Sequence, residues 1–127
     1  MRRHPVPDLP PLSQRFLEFA NSELPPVEDD LYVATASVYA MAWNRAVFPH
    51  GSHNAVAITE HIARMPAEAR IPLEILHADL IPRKRRMFPG DDRIIADCRL
   101  KHAGGIISLQ VLHSDVSHIG PLPLPFY

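Results

Sequence analysis

The strongest constraint on the fold is an alternation near the C-terminal end. Ile94, Ala96, Cys98 and Leu100 interleave with Ile95, Asp97, Arg99 and Lys101. A period of two is the mark of a strand with one face buried and one face wet. Ala103-Gly104-Gly105 then turns the chain into a second run, Ile106-Ile107-Ser108-Leu109-Gln110-Val111-Leu112-His113. Two such strands lie antiparallel, and another element must cover their apolar face. Ala55, Ile58, Ile62 and Met65 recur at helical spacing from a start at Gly51 or Ser52, and Pro66 stops that helix. Ser13 is placed to cap an earlier helix bearing Phe16, Leu17 and Ala20, which closes before Pro25-Pro26.

The remaining segments complete an α+β domain. Residues 72–81, ending at Pro82, read as a strand by composition, and Pro89-Gly90-Asp91-Asp92 reads as a turn. Residues 31–41 hold alanines that allow a helix, while Val33, Thr35, Val38 and Tyr39 favour a strand. The resulting order is helix, strand, helix and three meandering strands, with a helix packed on one antiparallel sheet.

The 127 residues form one domain, and its 46% hydrophobic and 21% charged content suits a globular core. Residues 1–12 read as a proline-stiffened arm and residues 114–127 as a proline-rich tail. A formal charge of -1 gives no footprint for a nucleic acid. No apolar run approaches the ~20 residues needed to span a bilayer, and Met1-Arg2-Arg3-His4 leads into prolines instead of a signal-peptide core. The single cysteine, Cys98, excludes an internal disulfide, so a cytoplasmic setting is expected. Cys98 falls on the apolar side of its strand and reads as core. Among eight histidines, His50, His53 and His61 are the nearest to a cluster, but no metal-binding spacing accompanies them. No metal and no cofactor are expected.

The candidate chemistry lies in Asn44-Arg45-Ala46-Val47-Phe48-Pro49-His50-Gly51-Ser52. An amide side chain followed by a His-Gly turn at a helix start is a way to polarise a carbonyl, because unpaired helix N-terminal amides attract developing negative charge. The plainer alternative for Asn44 and His50 is turn and capping chemistry. His77 and Asp79 share a face of the expected strand and form a secondary candidate pair. Arg83-Lys84-Arg85-Arg86 is the one dense basic run, read either as an exposed loop or as a dock for phosphates.

Taken in order, these motifs resemble the hotdog fold, a curved antiparallel sheet wrapped around a central helix, and most closely thioesterases of the phenylacetate-pathway (PaaI) type. That family reads Asn, five residues, His-Gly-Gly, then an apolar helix carrying an acid. Asn44 and His50-Gly51 stand at that spacing, with Ser52 in place of the second glycine. Gly90-Asp91-Asp92-Arg93-Ile94-Ile95-Ala96 and the following Gly turn continue the likeness, which spans roughly residues 31–115.

The resemblance implies binding, and hydrolysis, of an acyl thioester of CoA or an acyl carrier by a homodimer or homotetramer. Gly51 would be the oxyanion donor and Asn44 the orienting group, and Arg83, Lys84, Arg85 and Arg86 would receive the CoA phosphates. The family's acid position holds Thr59, which cannot take a proton at neutral pH, so the neighbouring Glu60 is the candidate base. For Glu60 the plainer alternative is a solvated carboxylate paired with Arg64. Two other functions stay open: a hydroxyacyl-thioester dehydratase or isomerase using His50 and Glu60, and a non-catalytic ligand-binding or assembly protein that has lost the acid.

Overall fold

The computed structural model describes residues 11–49 and 51–115, the last three by their backbone. The arm expected over residues 1–12, all but its last two residues, and the tail after residue 115 lie outside the described residues, as does His50. Among the described residues four helices precede a two-stranded antiparallel sheet: α1 Leu12–Ala20, α2 Tyr32–Val47, α3 His53–Ala63, α4 Ala67–Met87, β1 Arg93–Ala103 and β2 Ile106–Asp115. The α+β class expected from the sequence is therefore present, with α2 between the sheet and α4.

The hairpin forms as its residues dictate. Gly104 and Gly105 take φ of 57° and 77°, and a type I′ turn needs positive φ at both central positions. Pairing runs from Ala103 opposite Ile106 to Arg93 opposite Asp115, with a bulge between Ile95 and Asp97. Cys98 and Leu100, facing Val111 and Leu109, turn toward the helices, while Arg99 and Lys101 face water. Cys98 is a core residue, and burial pushes its thiol pKa up to about 12.

Two segments expected as strands are helices. Of residues 31–41, all but the N-cap Leu31 belong to α2, where Tyr32, Ala36, Tyr39, Ala40 and Trp43 are buried. Burial between two layers outweighs the β preference of Val33, Thr35 and Val38, because propensity differs by only tenths of a kcal/mol per residue. Residues 72–81 belong to α4. Its inward face repeats every three or four residues through Leu73, Leu76, His77, Leu80 and Lys84. Ala67-Glu68-Ala69-Arg70 starts this helix with strong helix formers, and Pro72 and Pro82 sit on its exposed side.

An aromatic cluster joins the layers. Phe19 meets Trp43 edge-on at 5.5 Å between ring centroids, and Trp43 meets Phe88 at 5.9 Å. Beside it lies a buried charge network. Asp91 Oδ2 accepts from Arg93 Nη2 at 2.6 Å and from Arg15 Nη1 at 3.3 Å. The Lys84 ammonium lies over the Trp43 ring and donates to the carbonyls of Phe88 and Asp91. α1, α4 and β1 are thereby tied to one turn.

Candidate functional site

α2 ends at Val47 because Phe48 turns extended, its N–H still donating to the Asn44 carbonyl. Gly51 takes φ of +81°, a left-handed conformation that an L side chain rarely adopts. The next residue, Ser52, starts α3 by accepting from the Ala55 N–H at 3.3 Å. Helix α3 itself follows the expected spacing, with Ile58 and Ile62 buried.

Asn44 is fully buried. Its Nδ2 donates to the Ile95 carbonyl at 2.9 Å, and its Oδ1 accepts from the Ile95 N–H at 2.8 Å. Next to it, Trp43 Nε1 donates to the Arg93 carbonyl at 2.8 Å. Both residues thus bond the edge of β1 that does not face β2. Asn44 thereby ties α2 to the sheet.

Two grooves meet on α3. The first, about 410 Å³, is lined by Gly51, Ala55, Val56, Thr59 and Glu60. The second, about 310 Å³, is lined by Arg45, Phe48, Ala55, Thr59, Ile81 and Arg85. Ala55 and Thr59 form their common wall, so one face is largely apolar and the other carries two guanidinium groups. Glu60 is solvent-exposed on the rim of the first groove.

The arginine groove is braced from α4. Arg45 Nη1 donates to Glu74 Oε1 at 3.1 Å and to His77 Nδ1 at 3.0 Å. Since a guanidinium only donates, His77 Nδ1 is the acceptor, and Nε2–H donates to the Val38 carbonyl at 3.0 Å. Burial, reinforced by the Arg45 charge, lowers the His77 pKa to about 4 against the pull of the Val38 bond. His77 is neutral at pH 7, and Asp79 points elsewhere to pair with Arg83 at 2.8 Å. The expected His77–Asp79 pair is therefore dispersed, because two residues apart on a helix is about 200° of rotation.

The same rotation disperses the basic run, which is the last turns of α4 and not a loop. Arg83 bonds Glu23, Asp79 and the Phe19 carbonyl. Lys84 is buried on Trp43, Arg85 lines the groove with Arg45, and Arg86 is exposed. Of the four, Arg85 is the one beside the α3 grooves. The residue that sequence reasoning missed is Arg45, five positions before His50. Its signal was the helical spacing of Glu74, His77, Ile81 and Arg85, visible only once α4 is a helix.

Among the described residues no group of three or more His, Cys, Asp or Glu side chains could hold a metal ion, and no helix is long and apolar enough to cross a membrane. Comparisons with protein-family models, with curated proteins and with solved structures each find no match for this chain.

Proposed function

We propose that this protein binds an acyl thioester of CoA or of an acyl carrier in the paired grooves on either side of Thr59. One observation carries this reading: an apolar groove and a groove with two arginines share a wall. An acyl thioester has the matching halves, an apolar chain and a phosphate-bearing carrier arm. Guanidinium groups are suited to phosphate through charge-assisted, forked hydrogen bonds. The hotdog relationship belongs to this proposal too. The β1–β2 hairpin after the Gly-Asp turn supports it, whereas α2 and α4 stand where the likeness calls for strands. The binding reading therefore rests on the grooves.

Hydrolysis is a second reading, favoured by Gly51 and Glu60 lining the same groove. Glu60 would take a proton from water as the water oxygen bonds to the carbonyl carbon. The C–S bond then breaks and the thiol leaves with that proton, while the Gly51 N–H receives the oxyanion.

Calorimetric titration with free CoA and with acyl-CoAs of increasing chain length tests the binding. Saturable binding that tightens with the acyl chain is expected, and Arg85→Ala should weaken it about tenfold, the worth of one charge-assisted contact. Failure of every acyl-CoA to bind overturns the proposal. Thiol release from a bound acyl-CoA, lost in Glu60→Gln with affinity unchanged, would support hydrolysis. Binding without thiol release would leave a carrier or sensor.

A further inference from the structure

The outer face of α4 carries a second pattern that the grooves do not use. Ile71 and Ile75 are 53% and 68% exposed, and Ala78 and Pro82 beside them are exposed as well. Their spacing of four, three and four residues is that of a coiled-coil seam. Among the other large exposed apolar side chains of the described residues, Leu31 and Ile106 lie on other segments, ahead of α2 and at the start of β2. Glu68 continues the seam at its N-terminal end, and Arg85 and Arg86 continue it at its C-terminal end, all three exposed.

This seam is complementary to itself when reversed. With a second α4 laid antiparallel so that Ile75 meets Ala78, Ile71 meets Pro82 in the same register. Glu68 of each copy then lies opposite Arg85 and Arg86 of the other. A two-fold axis generates every contact twice, as an isologous interface requires. Ala78 at the centre lets the helices approach closely, and acid meets base at both ends. The parallel arrangement would set Glu68 against Glu68 and arginine against arginine.

We infer that two copies of this chain associate through an antiparallel α4–α4 contact centred between Ile75 and Ala78. The groove openings on α3 are made by other faces and do not enter this contact, except that Arg85 borders both.

Sedimentation velocity of the full chain across the micromolar range tests this. A concentration-dependent dimer is expected, and Ile75→Lys should raise its dissociation constant about 30-fold or more, as loss of a central apolar anchor does. Circular dichroism and melting of this variant should match the parent, since Ile75 is exposed in the single chain. Glu68→Arg should weaken the dimer, and adding Arg86→Glu should restore it. Ile71→Cys with Pro82→Cys should cross-link copies on mild oxidation, because three turns separate these positions within one helix. A monomer at all concentrations overturns the inference, and so does a dimer indifferent to Ile75→Lys and to the charge exchange.

Discussion

The amide of Asn44 does for β1 what a neighbouring strand would do. It supplies one donor and one acceptor to Ile95, and Trp43 adds a donor to Arg93. Together they close an edge that would otherwise offer unpaired backbone groups. This gives Asn44 a structural role that its place in the motif did not announce, because its partner is 51 residues away in the chain. Asn44→Ala leaves the buried Ile95 N–H and carbonyl without those partners, which costs about 2–3 kcal/mol. Urea unfolding should show that loss, and ligand binding should persist under native conditions. Loss of binding with stability intact would instead place Asn44 in the site. Thr59 and Glu60, by contrast, do reach the groove beside Gly51 from their sequence positions alone, since one short helix carries them.

At the scale of elements, those with local signals were legible. The hairpin could be read from its alternation and its Gly-Gly turn, and α3 from Ser52, its apolar repeat and Pro66. Among the described residues the Ser52 hydroxyl is the one N-cap side chain that caps a helix, so Ser52→Ala should cost about 1 kcal/mol and Ser52→Gly only a few tenths. A thermal melt of the two variants separates them, and equal melting would deny the cap. Helix α4 was not legible, for a specific reason. Lys84 and His77 occupy its inward stripe, so the apolar repeat is broken where a helix should show it. Leu73, Ile75 and Ile81, bounded by Pro72 and Pro82, imitate a strand instead. Helix α2 was ambiguous because it is buried on most sides and shows little polar face.

At the scale of the whole molecule, two buried titratable groups among the described residues contribute to the response to acid. His77 has its pKa depressed to about 4 from an ordinary 6.5, so the unfolded chain binds its proton first. Its contribution is complete above pH 6.5 and is lost as pH falls toward 4, amounting to roughly 3 kcal/mol. Asp91 is pushed up by burial, but the Arg93 hydrogen bonds and the charges of Arg93 and Arg15 outweigh this and hold it below its ordinary 3.8. Its contribution survives the first step and is lost only below that ordinary value. Stability measured against pH should therefore fall in two stages, and His77→Gln should flatten the upper one alone. An unchanged profile in that variant would show that His77 does not titrate with folding. The chain by itself determined what neighbours in sequence control: the hairpin, its turn, the start and stop of α3, and the α+β class. Tertiary structure decided the states of α2 and α4, the scattering of Arg83 to Arg86 and the pairing of Asn44 with Ile95. Those depend on burial between layers and on partners tens of residues away, and no local pattern encodes either.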